Sequence, residues 1–351
     1  MRSRTRSGAA PTIQDVARAA GVSTSTAGRA LGGYGAVSPS VRERVQAAAT
    51  TLGYRRNSLA RSMITGTTHT IGLVVADIEN PFFARAARGV ADVAHRAGYE
   101  VLLVNSDEDT TIERAAVRTL HEKRVDGLII APAASDASRH VAELIATGTP
   151  VVLIDRAVAG LRADAVVVDN EHAARHAVDH LVGLGHRRIA LITSQGLIHT
   201  NQARLAGYLA GLEAAGILVE EALIRMSPYT RQAARDETIA VLTLPDAATA
   251  IFTTDNLMTL GAVDGVLSQG RRIPDEVSIV GFDDLEWTTI FDPPLTVVAQ
   301  PTYEIGATAA TRLIARLEGD DEPPELFVLP TTFVARGSTT VAPSRAAAQA
   351  S

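Results

Sequence analysis

Apolar positions along the chain follow two rhythms, and the change between them falls near residue 70. Before that point they recur at helical spacing. Ile13, Val16, Ala17 and Ala20 share one helix face, entered at Thr12, which stands three residues before Asp15 as in a capping box, and left at Gly21. A second helix is predicted over Thr24 to Leu31, capped by Ser23, with Ala27 and Leu31 facing inward. A third begins at Ser38 with Pro39 in its first position, carries Val41, Val45, Ala48 and Leu52, and stops at Gly53. Two helices joined by a tight glycine turn, with polar groups at the start of the second, make a helix-turn-helix arrangement.

From Thr70 onward, short apolar runs alternate with amphipathic stretches. TIGLVVA, YEVLLVN, VDGLIIA and PVVLID are strand-like, with helices predicted over 82–97, 110–123 and 137–147. A second series has strands near ADAVVV, RIALIT, TAIFTT and VSIVGF, and helices over 171–184, 201–215, 230–243 and 256–268. Such alternation implies parallel sheets covered by helices, here in two doubly wound lobes. The expected fold is therefore an all-α head of three helices followed by a two-lobed α/β domain.

Composition sharpens that picture in three respects. The 351 residues, 46% of them hydrophobic, suffice for two or three cores of ordinary size. No apolar run approaches the roughly 20 residues that span a membrane, and MRSRTRSGAAPTIQ lacks the apolar stretch of an export signal, so a cytoplasmic protein with no membrane partner is expected. With no cysteine, disulfides and thiolate metal sites are excluded. The net charge of −6 is unevenly shared: residues 1–66 hold ten arginines against Asp15 and Glu43, a net of +8, which leaves −14 for the remainder. One end is thus a candidate polyanion binder, although Arg2, Arg4 and Arg6 alone read as a solvated tail.

The second helix has the chemistry to use that charge. Ser23, Thr24, Ser25 and Thr26 form a row of hydroxyls at its start, and Arg29 is its one guanidinium. Hydroxyls and free amides at a helix N-terminus bond phosphates or base edges, and an arginine one or two turns on can take guanine O6 and N7 together. DNA in the major groove is the expected partner.

In open parallel sheets ligands bind at the carboxyl ends of the strands. There the sequence places ENPFF after the first strand, Asp155-Arg156 after the fourth, and Thr254-Asp255-Asn256 and GFDD in the second series. Phe82 and Phe83 offer apolar faces, while Asp155, Arg156, Arg204 and Asp283 offer forked hydrogen bonds, a combination suited to a sugar. Singly, Phe82 and Phe83 also read as core, and Asp283-Asp284 as a capping turn.

The stretches TIQDVARAAGVSTSTAGRALGG, VSPSVRERVQAAATTLGYRRNSLARSM and TIGLVVADIENPFFARAARGV closely resemble the LacI (lactose-repressor) family of bacterial transcription regulators, from about Thr12 to Arg336. The resemblance implies that Thr24, Ser25 and Arg29 face base edges and that Ser23 and Thr26 touch the phosphate backbone. It implies a hinge from Tyr54 to Met63, including Asn57 and Arg61, that folds on operator DNA and wedges Met63 into the minor groove. Gly28, Gly32 and Arg56 depart from the family pattern. Asn80, Phe82, Phe83, Asp155, Arg156, Arg204, Asp283 and Gln300 match the ligand residues of ribose-type sugar-binding proteins, with Thr254 where asparagine is usual and Asp255 beside it. A pentose or hexose is implied before a purine.

Other chemistry lacks its residues. There is no G-x-G-x-x-G after the first strand, no G-x-S-x-G, and the only lysine, Lys123, is not in a phosphate loop. His172, His176 and His180 have the spacing of helical metal ligands, but Ala174, Ala177, Val178 and Leu181 lie opposite them, so a solvent face is expected and no metal or other cofactor. The expected organisation is a helix-turn-helix domain over 1–56, a hinge over 57–66, an effector and dimerisation domain over 67–342, and a disordered tail over 343–351. By resemblance the lobes cross over near 165, 292 and 329. A homodimer reading a palindromic operator is expected, since one short head makes too few base contacts. PSRAAAQAS carries no leucine heptads for further assembly. A secreted sugar receptor would have no use for residues 1–66, and an enzyme would need Asp155 and Asp283 as an acid/base pair. The expected function is therefore that of a repressor under the allosteric control of a sugar, without enzymatic activity.

Overall fold

The computed structural model describes residues 11–32, 35–54, 66–134, 138–195 and 199–343, which fall into two compact units divided at Thr68. Arg2, Arg4, Arg6, the hinge positions Arg56, Asn57, Arg61 and Met63, and the tail beyond 343 lie outside the described residues.

The first unit is built from α1 (Ile13–Ala20), α2 (Thr24–Gly32) and α3 (Pro39–Leu52). At its start the Asp15 carboxylate accepts the Thr12 N–H at 3.0 Å while Thr12 Oγ1 accepts the Asp15 N–H, which makes the expected capping box. Gly21 and Gly53 end α1 and α3 at φ of 66° and 63°, a left-handed turn that costs glycine little. Ser38 departs from expectation, because its hydroxyl lies 3.3 Å from Ser40 Oγ and caps no amide. The start of α3 rests instead on Pro39, which has no N–H to satisfy. Buried side chains are Val16, Ala17, Ala20, Ala27, Ala30, Val45 and Ala49, so alanine-sized contacts hold the three helices close and leave Leu52 38% exposed.

The second unit has two lobes of the same plan. In the first, the sheet order is β11-β5-β4-β3-β1-β2, all parallel. Its strands are β1 (Thr70–Val75), β2 (Glu100–Asn105), β3 (Gly127–Ile130), β4 (Val151–Ile154), β5 (Asp164–Val168) and β11 (Leu326–Leu329). Helices α4 (Pro81–Arg96), α5 (Thr110–Glu122), α6 (Arg139–Ala146) and α12 (Thr302–Leu317) flank it. The second sheet runs β12-β10-β9-β8-β6-β7, with only β12 antiparallel. It comprises β6 (Ile189–Ser194), β7 (Ile224–Ser227), β8 (Ala250–Thr253), β9 (Ser278–Phe282), β10 (Thr296–Ala299) and β12 (Thr332–Val334). Around it lie α7 (Asn170–Gly183), α8 (His199–Ala214), α9 (Arg231–Leu242) and α10 (Asn256–Ser268), with the short α11 (Glu286–Ile290) after β9.

Two expectations need correction. ADAVVV is β5 of the first sheet, paired with β4, because no helix separates the two strands and the chain returns at once to the same sheet. The chain therefore changes lobe after β5, after β10 and between β11 and β12, the second change coming later than residue 292. Helix α12, which the apolar rhythm did not predict, packs on α4 through small residues. A Cβ on Gly306 would sit 1.9 Å from the Ala86 carbonyl oxygen, and one on Gly89 would sit 2.1 Å from that of Tyr303. The two backbones touch, and no larger side chain fits between them.

Candidate functional site

At the start of α2, Ser23, Thr24 and Ser25 are exposed and Thr26 is half-buried. Ser23 Oγ accepts the Thr26 N–H at 3.1 Å and lies 2.8 Å from Thr26 Oγ1, so these two hydroxyls also hold the helix start together. Arg29 lays its stem against the chain after α2, where a Cβ on Gly35 would be 2.9 Å from Arg29 Cδ. Its Nε is buried without a hydrogen-bond partner among the described residues. The structure thus brings the predicted hydroxyls and guanidinium to one short helix. Tyr54, after α3, is half-buried and packs on the head core.

In the second unit the two sheets share one strand order, so β4 and β9 are equivalent and their carboxyl ends face one cavity. The residues at those ends, Asp155 and Asp283, have φ of 66° and 73°. Left-handed backbone at a non-glycine residue costs roughly 1–3 kcal/mol and is retained mostly at functional sites. The cavity holds about 300 Å³ and is lined by Asn80, Phe82, Phe83, Asp155, Arg156, Arg204, Asp255, Asp283 and Gln300 among the predicted residues.

Each polar group is held from behind. Arg156 donates through both terminal nitrogens to Glu108 at 2.6 Å and through Nε to Asp155 at 3.0 Å, and a further bond reaches the Pro132 carbonyl at 2.8 Å. Burial opposes its charge, but Glu108 and Asp155 outweigh that and hold its pKa above the ordinary value. Arg204 donates to Asn170 Oδ1 at 2.7 Å and to the Thr254 carbonyl, and its guanidinium lies 3.7 Å from the centre of the Phe282 ring. Asp283 accepts from Asn256 at 3.0 Å and from Gln300 at 2.7 Å. Asn80, at the start of α4, donates to the Tyr229 hydroxyl and accepts from Asn256, each at 2.9 Å, so side chains of the two lobes bond directly across the cavity.

Two acceptors remain. Asp255 caps α10 through Oδ1, which takes the Met258 N–H at 2.9 Å, while its Oδ2 is buried without a partner among the described residues. Gln300 Oε1 is likewise buried and unpartnered. Burial pushes the Asp255 carboxyl up to about 6, against the Met258 N–H and the Arg204 charge. Burial also raises Asp155 and lowers Arg204.

Phe82 and Phe83 serve both expected roles, since they line the cavity and, stacked edge to face at 5.0 Å, close the core of the first lobe. Thr254 does not line the cavity. Its hydroxyl donates to Thr193 Oγ1 at 2.9 Å, and only its backbone supports Arg204. Tyr229, which stands for the aromatic that the family resemblance expects near that position, lines the cavity, and Asn256 of the Thr254-Asp255-Asn256 strand end braces it, whereas Glu108, Asn201 and Gln195 in the lining and Asn170 behind Arg204 were not predicted as site residues. On α7, His172 and His176 are exposed as expected, whereas His180 is half-buried against Phe333 and bonds Thr339.

Residues 12–57 match the family described as bacterial regulatory proteins, lacI family. Residues 68–336 match that described as periplasmic binding proteins and sugar binding domain of LacI family. The chain belongs to the LacI family. It is 34% identical to catabolite control protein A of Priestia megaterium, over 93% of this chain and 99% of that protein. Among solved structures, the lac repressor dimer bound to operator and the anti-inducer ONPF superposes with a TM-score of 0.86 at 27% identity, over 95% of this chain and 100% of that one. A LacI family regulator of Enterococcus faecium with bound ribose gives a TM-score of 0.71 at 30% identity, over 78% and 100% of the two chains. This LacI-family chain is a DNA-binding transcriptional regulator with a ligand-binding domain, as the sequence resemblance implies. Among the described residues no helix is long and apolar enough to cross a membrane.

Proposed function

We propose that the protein is a cytoplasmic repressor that reads a palindromic operator as a homodimer and is controlled by a monosaccharide bound between its lobes. The observation that carries the ligand class is the pair of buried acceptors, Asp255 Oδ2 and Gln300 Oε1, in a cavity already furnished with guanidinium donors and the Phe82 and Phe83 rings. Hydroxyl groups satisfy acceptors and donors alike, and vicinal hydroxyls suit the Asp155–Arg156 fork. The volume, about 300 Å³, stands at the small end of ligand cavities, which span about 300–1,000 Å³. That favours a pentose or hexose over a larger nucleoside, and the ribose-bound relative fits the same reading.

The cavity is furnished for binding rather than for acid/base chemistry. Asp283 is committed through both oxygens to Asn256 and Gln300, and Asp155 is tied to Arg156, so neither stands free as a proton donor or base. Two edge strands support the homodimer: β2 exposes Leu102 and Leu103, with Ile78 and Ile112 on the segments that flank it, and β7 exposes Met226. Burial of such side chains against a second copy is the usual way to cover them. Ser23 to Thr26 and Arg29 are assigned to DNA, with Asn57, Arg61 and Met63 of the hinge completing the contact.

Gel shift of the full chain against fragmented genomic DNA, with and without a panel of pentoses and hexoses, tests this directly. One fragment class bearing an inverted repeat is expected, with one sugar changing its retention. Uniform retention of all fragments, or indifference to every sugar alongside a response to purines, contradicts the reading.

A further inference from the structure

Away from the cavity, α5 and α6 enclose a groove of about 580 Å³ on the flank of the first lobe. Arg114, Arg118 and His121 line it from α5, and Arg139, His140 and Glu143 from α6. Among the described residues, three guanidiniums and two imidazoles therefore line the groove with one carboxylate, Glu143, which already accepts from Arg139 at 2.9 Å on the exposed rim, and the buried Glu113 stands behind His140. Arg118 reaches Glu122 only at 3.9 Å, with both side chains largely in solvent. Arg114 has no ion-pair partner among the described residues.

His140 is the buried member of the set. It is 8% exposed, its Nε2 lies 2.7 Å from Oε1 of the fully buried Glu113, and its Nδ1 is buried with no partner among the described residues. A carboxylate accepts only, so the ring proton sits on Nε2 and Nδ1 is left to bond something else. Buried polar atoms without partners are uncommon in folded proteins and call for an explanation. The other Glu113 oxygen accepts the Ala133 N–H at 2.6 Å, and Ala133 lines the cavity between the lobes.

We propose that this groove is a second binding site, for a small phosphorylated molecule free in solution. Arg114, Arg118 and Arg139 take the phosphate oxygens, and His140 accepts at Nδ1 from a protonated phosphate oxygen. Guanidinium forks match phosphate geometry, and a ligand with two or more negative charges satisfies the excess of cations where a monocarboxylate does not. Because Glu113 holds both His140 and the Ala133 amide, a ligand drawing on His140 also moves that amide.

Pyrophosphate is the probe, titrated calorimetrically into the full chain at physiological salt, with acetate as the monocarboxylate control. Saturable binding of pyrophosphate but not acetate is expected, weakened about tenfold or more by Arg114→Ser with Arg118→Ser, two exposed positions whose replacement spares the fold. The Ala133 amide resonance is expected to move along the same saturation curve. Absence of saturable binding, or binding undiminished in the double variant and so located on the basic head, overturns the site. A stationary Ala133 amide overturns its link to the cavity.

Discussion

Replacing Asp255 by asparagine removes a buried charge while keeping the cap of α10, because an asparagine Oδ1 accepts the Met258 N–H as well as aspartate does. Burial pushes this carboxyl from its ordinary value of 3.8 up to about 6. Between those values the folded protein holds a proton that the unfolded chain has lost. Stability from this group is therefore present at low pH and is lost as pH rises through about 6. A rise from 3.8 to about 6 is worth about 3 kcal/mol in full, of which roughly 2 kcal/mol falls between about pH 4 and pH 7. The asparagine variant lacks that loss. Its stability relative to the parent should therefore improve by roughly 2 kcal/mol from about pH 4 to pH 7. Whatever the new amide costs in place of Oδ2 is common to both pH values and cancels. Urea unfolding of the full chain, followed by the fluorescence of the single tryptophan, Trp287, which packs on a core of the second lobe, measures the difference. A stability difference that stays constant with pH, or shrinks, refutes the reasoning.

Gly28→Ala places a Cβ 3.6 Å from Ile13 Cδ1, an ordinary contact, and should stabilise the head by about 1 kcal/mol, seen as a higher midpoint of its thermal transition. Gly306→Ala drives a Cβ to 1.9 Å from the Ala86 carbonyl and should cost about 3 kcal/mol or more in the larger unit by urea unfolding; a parent-like midpoint contradicts the close helix contact. Arg29→Ala should cost about 1–3 kcal/mol on the operator and relax preference at one base of each half-site, whereas equal losses on specific and random DNA make Arg29 a backbone clamp. Sugar affinity should rise with pH through about 6, since a hydroxyl donating to Asp255 Oδ2 needs the ionised carboxylate; a flat calorimetric profile contradicts that contact.

Helix and strand positions were legible wherever a single amphipathic face or a fully buried strand dominates. Helices α4, α5 and α7 to α10 stand within a few residues of their predicted spans. Helix α12 was not predicted although Ile305, Leu313 and Ile314 recur on its inward face at helical spacing, because the middle of that face is Gly306, Ala309 and Ala310, which blunt the contrast there. Strand β5 was given to the wrong lobe because nothing local says which sheet a buried run joins; that depends on its register with β4. The cavity was legible as far as residues cluster at strand ends, which covers Asn80, Phe82, Phe83, Asp155, Arg156 and Asp283. Glu108, Asn170 and Asn201 are single polar residues whose convergence is made by tertiary packing alone. Thr254 shows the converse: it stands at the right strand end, but its hydroxyl points to Thr193.

Control of DNA binding from the cavity is tested most directly by titrating the active sugar into the protein–operator complex for the parent and for Arg204→Ala, with fluorescence anisotropy of labelled operator as the readout. Arg204 is buried, braced by Asn170 and Phe282, and belongs to the unit that does not contain the helix-turn-helix. The variant should therefore bind operator like the parent but respond to the sugar only at much higher concentration, if at all, whereas the parent's operator affinity changes saturably. An Arg204→Ala protein that follows the parent's sugar titration would place the controlling site elsewhere.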